Sequence, residues 1–305
     1  MTHNEIGSND REFNLWQSEY LKLVETMRRE SMDYRFFRIN GLAGGLYTSK
    51  ERPTADTVVV YAIGAPRIPD FGTLSEALVL TSMGVHVFVP DYYGYGRSDG
   101  IFTPENCMRT LVDSSRFLSG GCHAKSTYQM ENVLLHYQTI LFAGRSFGAN
   151  FVALLPNYTT ERVDSIALLS PCIDNKSQGE IPGEETNELF MNSMRDDGFH
   201  HLYRGILSQS WIDHLEGKDE YDAMEHIGHL PNTKIFIGHG INDEVVNFQK
   251  SQRYLNKIRA NTPANSNLFR LSLFDGAHGD STTNPASYHF MRWLGYKANS
   301  QIESR

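Results

Sequence analysis

One pentapeptide constrains this chain most: the stretch from Gly144 to Gly148, Gly-Arg-Ser-Phe-Gly, directly follows the apolar run 140–143. A short apolar run bounded by glycine is typical of a buried strand, and residues 149–155 predict a helix that leaves the turn. A serine at the apex of such a turn needs a strained backbone, and a side chain at either glycine would collide where helix and strand pack closely. The pattern predicts that the Ser146 hydroxyl is held at the carboxyl end of a sheet, in front of a helix N-terminus that favours developing negative charge.

Two later loops carry the groups that such a serine needs. A serine hydroxyl becomes a nucleophile when a histidine takes its proton and a carboxylate holds that histidine. Asp243 follows the strand-like run 234–240, and His278 follows the strand-like run 268–274. Since sites in open parallel sheets lie at the carboxyl ends of the strands, both side chains are expected near Ser146. Catalytic triads of serine, histidine and an acid occur in three well-known chain orders. This chain has the order serine, aspartate, histidine, which is distinct from the other two.

These residues make the chain resemble the α/β-hydrolase superfamily, over about residues 33 to 297. Residues 91–100, Asp-Tyr-Tyr-Gly-Tyr-Gly-Arg-Ser-Asp-Gly, are similar to the segment after the fourth strand of that family. The resemblance implies an α/β fold with a mostly parallel, eight-stranded sheet and helices on both faces. It also implies a catalytic triad of Ser146, His278 and Asp243. The arrangement is similar to the serine aminopeptidase and monoacylglycerol lipase-like branch, in which a helical cap is inserted.

The end of the third expected strand departs from the family pattern. That strand usually ends in His-Gly, whereas Ile63 precedes Gly64 here. By the family register, the backbone N–H groups of Ala65 and Phe147 form the oxyanion hole, and a shift of one residue makes Gly64 the donor instead. Each such donor stabilises a transition state by about 3–4 kcal/mol. Because backbone donors survive the loss of the histidine, Ile63 bears on the substrate class more than on catalysis.

The rest of the chain alternates strand-like and helical patterns, which is typical of a parallel sheet with right-handed crossovers. Strands are expected at 57–62, 85–90, 139–143, 165–170, 234–238 and 268–274. Helices are expected at 73–83, 104–118, 147–156, 246–259 and 285–295. Residues 33–48 contain Asn40-Gly41 and predict an antiparallel hairpin. Residues 11–30 predict an amphipathic helix, part of an N-terminal extension over 1–30.

Residues 175–231 interrupt this alternation because they hold no strand-like run. Helices are expected there at 187–194, 201–207, 210–215 and 221–231. In the family such an insertion is the cap over the active site, so the chain is expected to divide into a core (1–174 and 232–305) and a cap (175–231). Four cap residues are candidates for an acyl-chain pocket, or else pack the cap onto the core: Phe190, Met194, Tyr203 and Trp211.

Several polar residues leave alternatives open. Asp174 also follows a strand and could supply the triad acid, although residues 238–245 fit the family's acid loop better. Arg145 could contact an acidic group of the substrate or brace Asp91, and with Gly64 it completes the candidate substrate-binding residues. His239, at the end of a strand, is expected to be structural.

Composition narrows the classes of partner. The formal net charge of −8 argues against broad binding to nucleic acid or anionic lipid. No stretch reaches the roughly 18 apolar residues that span a bilayer, and the first ten residues lack the apolar core of a secretory signal. Three scattered cysteines suit a reducing cytosol, so a cytoplasmic protein is expected. His226 and His229 have helical spacing, but further ligands at metal-site spacing are lacking, and neither a metal nor a cofactor is expected.

The expected function is hydrolysis of a carboxylic ester in a small, partly apolar acyl substrate, through an acyl-enzyme on Ser146. Acyl transfer, thioester hydrolysis and aminopeptidase activity would use the same triad. A non-catalytic ligand receptor is an alternative of a different class, because fold does not fix function. The sequence leaves homodimerisation open.

Overall fold

The computed structural model describes residues 10–26, 32–50, 53–127, 130–227 and 232–298, which form ten β-strands and eight α-helices. The strands are β1 (Met32–Ile39), β2 (Leu42–Ser49), β3 (Thr57–Ala62), β4 (His86–Pro90), β5 (Cys122–Ser126), β6 (Asn132–Leu135), β7 (Thr139–Arg145), β8 (Ser165–Leu169), β9 (Lys234–Gly240) and β10 (Phe269–Phe274). The helices are α1 (Asp10–Thr26), α2 (Ser75–Ser82), α3 (Pro104–Gly120), α4 (Phe147–Leu154), α5 (Asn187–Asp196), α6 (Gln209–Leu215), α7 (Phe248–Asn261) and α8 (Asp280–Trp293).

All ten described strands form one sheet, in the order β10-β9-β8-β7-β3-β4-β2-β1-β5-β6. The six strands from β10 to β4 run parallel to one another, and β2, β1, β5 and β6 continue the sheet in antiparallel fashion. The α/β class and the mostly parallel sheet are therefore confirmed. In the centre, β3, β4 and β8 are buried at nearly every position, because both faces of the sheet are covered.

The sheet has ten strands rather than the expected eight. The additional pair is the hairpin β5–β6, which joins the outer edge of β1 through Phe37 opposite Ser126 and Arg38 opposite Lys125. Strand β5 buries only Ala124 and Ser126, and strand β6 is short and mostly exposed. An edge hairpin with so few buried apolar residues leaves no clear periodic pattern, which is why the sequence did not predict it.

Helices pack around the sheet in two groups. Helices α2 and α8 contact each other as well as strands of the sheet, and α1 packs on α8. Helix α3 packs against α4, and both contact β3 and β7. The last helix begins at Asp280 rather than at 285, so Pro285 lies inside it. Its added first turn is held by the N–H groups of Thr282 and Thr283, which both donate to the carbonyl of Gly279.

The insertion contains two of its expected helices, α5 and α6. The prediction of a helix at 201–207 is wrong: after a short 3₁₀ turn, Tyr203 forms an isolated β-bridge with Tyr95. Beyond short turns, this backbone bonds to another loop: the N–H of Arg204 donates to Gly94 (2.9 Å), and the N–H of Phe102 donates to Arg204 (2.6 Å).

The prediction of a helix at 221–231 is also wrong for the residues that the structure describes, because residues 221–227 form a turn. Asp222 holds that turn by accepting from the N–H groups of Asn175 and Met224, both at 2.9 Å. Residues 228–231 lie outside the described residues, as do 1–9 and 27–30 of the expected N-terminal extension. The division of the chain into core and cap stays a prediction.

Among the residues that the structure describes, none of the helices combines the length and the apolar character that a bilayer crossing requires.

A buried histidine joins α1 to the core. His289 of α8 is fully buried, and Phe13 and Trp16 of α1 pack their rings edge-on against it at 4.8 and 5.6 Å. Neither ring nitrogen has a hydrogen-bond partner. Burial, together with the nearby charge of Arg270, lowers the pKa of His289 to about 3. The imidazole is therefore neutral at ordinary pH and acts as an aromatic packing residue.

We expect His289 to make the fold sensitive to acid. An unfolded histidine titrates near pH 6.5, so below that pH the unfolded chain binds a proton that the folded protein excludes. Stability therefore falls as the pH drops from about 6.5 towards 3, by about 2 kcal/mol at pH 5. His289→Phe should reduce the loss of unfolding free energy between pH 8 and pH 5 by about that amount, as measured by urea unfolding. The exposed His123, replaced in the same way, is the control; equal effects of both variants would contradict this assignment.

Candidate active site

Ser146 lies in the turn between β7 and α4 with φ 51° and ψ −121°, a conformation that non-glycine residues rarely adopt. Its N–H donates to the carbonyl of Leu169 at 2.9 Å. A Cβ on Gly148 would lie 2.4 Å from the carbonyl oxygen of Ala62, and one on Gly144 would lie 2.7 Å from that of Gly148. The prediction that both glycines are needed for close packing is confirmed. The strain at Ser146 is imposed by the approach of α4 to β3.

Asp243 lies against His278. The Nδ1 of His278 donates to Oδ2 of Asp243 at 2.8 Å, and Oδ1 of Asp243 accepts from the N–H groups of Val245 and Val246. The carboxylate of Asp243 has no exposed surface. Burial by itself would raise its pKa, but hydrogen bonds from His239 and His278 hold the pKa well below its usual range. Asp243 is therefore an ionised acceptor that fixes His278 with its proton on Nδ1.

His239 is a second histidine on the same carboxylate. Its Nε2 lies 2.9 Å from the carbonyl of Val246 and 3.2 Å from Oδ2 of Asp243, and its Nδ1 lies 2.7 Å from the hydroxyl of Ser251. Since both groups facing Nε2 are acceptors, we assign the proton to that nitrogen. The expectation that His239 is structural is confirmed, and its structural role is to hold Asp243.

Asp174, the alternative acid, is buried elsewhere. Burial raises the pKa of Asp222, and the neighbouring charge of Asp174 adds to the effect, which places Asp174 beside Asp222. Only Asp243, of the two candidates, is bonded to His278.

Ser146 and His278 open into the same cavity, whose volume is about 350 Å³. A cavity of that size suits a small ligand. Of the candidate substrate-binding residues, Gly64, Arg145 and Phe190 line it, as do both candidate oxyanion donors. The remaining lining residues were not predicted, and they include Arg67, Asn175, Gln178, Glu185, Asn187 and Leu215.

The candidates Met194, Tyr203 and Trp211 do not line this cavity. All three are fully buried in packing contacts. The indole of Trp211 stacks on Phe102 with ring centroids 4.7 Å apart, and its Nε1 donates to the Phe102 carbonyl at 2.7 Å. The ring of Tyr203 lies 4.4 Å from that of Tyr95. Of the two roles that the sequence left open for these side chains, their burial and contacts support packing rather than an acyl pocket.

The candidate oxyanion donors are unpaired. Neither Ala65 nor Phe147 donates its N–H to another described residue. The same holds for the N–H of Gly64, so both registers of the donor stay open. A Cβ on Gly64 would lie 3.2 Å from Cβ of Ser146, so this position must stay small to leave the nucleophile room. Ile63 is buried, and its carbonyl accepts from the Tyr92 hydroxyl at 2.8 Å, so it faces the core rather than the cavity.

Arg145 ties the serine turn to the histidine loop. Its Nη1 donates to the buried Glu76 at 3.0 Å and to the exposed Asp280 at 3.1 Å. Burial opposes the charged form of Arg145, but these carboxylates outweigh that effect and raise its pKa. Arg145 does not brace Asp91; Arg97 does, through contacts of 2.7 and 2.9 Å.

Two clusters of polar residues shape the cavity wall, and the sequence did not predict either of them. The fully buried side chains of Glu184 and Lys250 form an ion pair at 2.8 Å, and Lys250 also donates to Gln178 at 2.9 Å. On the other side, His214 lies 3.0 Å from Asp219 and 3.1 Å from the side-chain amide of Asn175. Both Gln178 and Asn175 reach the cavity, so each is held by ionisable partners behind it.

The thiol of Cys172 also reaches the cavity. Burial raises the pKa of Cys172 to about 12, so its thiol stays protonated. Within the described part of the chain, no three His, Cys, Asp or Glu side chains are grouped as metal ligands. His229 lies outside the described residues, so its pairing with His226 is not described.

Comparison with known proteins identifies the fold. No family model and no curated protein matches the chain. Its structure is similar to esterase Pf2001 of Pyrococcus furiosus (TM-score 0.56, 14% identity, 87% of this chain and 88% of that chain). It is also similar to ferulic-acid-bound Est1E of Butyrivibrio proteoclasticus (TM-score 0.55, 16% identity, 85% and 97%) and to a puromycin hydrolase (TM-score 0.57, 14% identity, 90% and 39%). The protein has the α/β-hydrolase fold, as its motifs predicted.

We expect Arg145→Met to destabilise the protein by about 3–5 kcal/mol, because it leaves Glu76 as a buried charge without a cation. Adding Glu76→Gln should restore most of that loss, since the double variant buries no charge there. Urea unfolding of the single and double variants measures the difference. Equal stability of the two variants would show that the pair is not the source of the effect.

Asp243→Asn should destabilise the fold in a pH-dependent way. A carboxylate with a lowered pKa contributes stability above its unfolded value of about 3.9 and loses that contribution as the pH falls through its folded value. The variant should therefore be less stable by about 2 kcal/mol at pH 7, with the difference narrowing below about pH 4. Urea unfolding of both proteins at pH 7, 5 and 3 tests this, and a difference independent of pH would contradict it.

Proposed function

We propose that the protein is a serine hydrolase that cleaves carboxylic esters of small, partly apolar acyl substrates. The observation that carries the proposal is the geometry around one cavity. A strained Ser146 and His278 open into the same space, and His278 is held at 2.8 Å by an ionised Asp243. The named activities of the esterase and hydrolase structures with this fold support the reaction class.

In the proposed mechanism His278 takes the hydroxyl proton of Ser146 through Nε2 while the serine oxygen attacks the ester carbonyl. The N–H groups of Ala65 and Phe147 bind the oxyanion. His278 then gives the proton to the leaving alcohol, and an acyl-enzyme remains on Ser146. Water, deprotonated by His278, attacks this ester; the bond to Ser146 breaks, His278 returns the proton to the serine oxygen, and the acid is released. Asp243 keeps the imidazole in its tautomer and stabilises the charged form throughout.

The cavity supports a short acyl group more than a long chain. Its volume of about 350 Å³ lies near the lower end for small-molecule sites. Phe190 and Leu215 supply apolar wall, whereas Asn175 and Gln178 present amides. Acyl transfer, thioester hydrolysis and aminopeptidase activity use the same triad and differ in the acceptor or the leaving group.

The first experiment is labelling with a fluorophosphonate probe, which reacts with activated serines. The native protein should be labelled, and Ser146→Ala should lose both labelling and at least about 10⁴-fold in kcat for p-nitrophenyl esters, with an unchanged Tm. Ser119→Ala, remote from the cavity, is the matched control and should react like the native protein.

A well-folded native protein that neither takes the probe nor turns over an ester, thioester and aminoacyl-amide panel would contradict the hydrolase proposal. It would favour the ligand-receptor alternative.

A further inference from the structure

The loop that supplies the candidate oxyanion donor continues into Arg67, whose backbone is held on both sides. Its N–H donates to the hydroxyl of Tyr203 at 2.9 Å, and its carbonyl accepts from the hydroxyls of Tyr95 (2.9 Å) and Tyr203 (3.1 Å). The rings of both tyrosines are fully buried and in contact with each other. Because its peptide groups face these tyrosines, the side chain of Arg67 is the part left to face the cavity that the residue lines.

The guanidinium of Arg67 has no hydrogen-bond or ion-pair partner among the described residues. Arg145, the other arginine of the cavity wall, donates from Nη1 to Glu76 and Asp280, so two carboxylates balance its charge. The cavity wall therefore includes one arginine whose charge no carboxylate of the described residues neutralises. A half-buried cation in this position is a ready partner for an anionic group of a ligand.

The one cavity carboxylate without a side-chain partner among the described residues is Glu185. The N–H of Glu185 donates to the carbonyl of Glu244 at 3.1 Å, next to Asp243, so Glu185 lies on the histidine side of the cavity, where burial raises its pKa. Arg67 follows the candidate oxyanion loop instead. A doubly charged phosphate would be repelled by Glu185 more strongly than a singly charged carboxylate.

We propose that Arg67 is a specificity residue that binds a carboxylate on the acyl substrate, so that half-esters of short dicarboxylic acids are the preferred substrate class. The proposal rests on the hydrolase function proposed above. The planar fork of the guanidinium pairs with a carboxylate through two parallel hydrogen bonds.

The test compares two esters of similar length, mono-p-nitrophenyl glutarate and p-nitrophenyl pentanoate, with native protein, Arg67→Met, Arg67→Lys and Arg253→Met. Arg253 is exposed on α7, away from the cavity, and its variant controls for the lost net charge. Arg67→Met should lower kcat/KM for the glutarate ester by about 10- to 100-fold and for the pentanoate ester by less than about 3-fold. Arg67→Lys should fall between, and Arg253→Met should match the native protein.

An equal fall for both esters in Arg67→Met, or the same selective fall in Arg253→Met, would overturn the role of Arg67 while leaving the hydrolase intact. A second measurement does not depend on turnover: calorimetric binding of glutarate to Ser146→Ala, with and without Arg67→Met. Glutarate affinity should drop by about 10-fold or more without the guanidinium. Unchanged affinity overturns the proposal, whereas failure of probe labelling and of both esters in the native protein overturns the hydrolase function instead.

Discussion

The site depends on one cation that joins three elements. Arg145 is the chain neighbour of the strained Ser146, and its guanidinium bonds to Glu76 on α2 and to Asp280, two residues after His278. A strained serine is useful only if the histidine loop arrives at the same point. A buried ion pair is costly to form, because both charges lose their hydration. Once it has formed, any arrangement that separates the two charges leaves one of them buried and unpaired, which is strongly destabilising. Arg145 therefore joins the serine turn to α2 through a buried ion pair, and its contact with the exposed Asp280 adds a link to the histidine loop.

The insertion is attached to the core by the same kind of interaction. The buried pair of Glu184 and Lys250 joins it to α7, and Gln178 shares that lysine while its amide donates to the carbonyls of Glu185 and Val245. Polar groups that are fully satisfied in a low-dielectric interior rigidify the segment that carries them. These hydrogen bonds fix the part of the cavity wall that Gln178 contributes.

The sequence predicted the parts of this structure that depend on interactions between residues close together in the chain. A strand, a glycine-flanked serine and a helix leave a continuous pattern, and loops after buried strands locate Asp243 and His278. Contacts between residues that are far apart in the chain leave no such pattern in the sequence. Trp211 and Tyr203 were recognised as apolar and large, but which cluster they join depends on Phe102 and Tyr95, about a hundred residues away. Likewise the hairpin β5–β6 buries too little to show a period, and its pairing with β1 is a property of the folded edge.

The aromatic residues that were candidates for the cavity wall pack behind it instead, and this affects the composition of the wall. Trp211 and Tyr203 form with Phe102 and Tyr95 a stacked base beneath the loop that carries Arg67. Rings packed in this way resist displacement. The hydroxyls of the two tyrosines hydrogen-bond to the loop above them and so hold its backbone in place. The cavity wall in front of them combines apolar side chains such as Phe190 and Leu215 with the side chains of Arg67, Asn175 and Gln178. For the proposed hydrolase, such a wall would select by apolar contact and by polar groups together, and a missing polar partner costs more than a missing methylene.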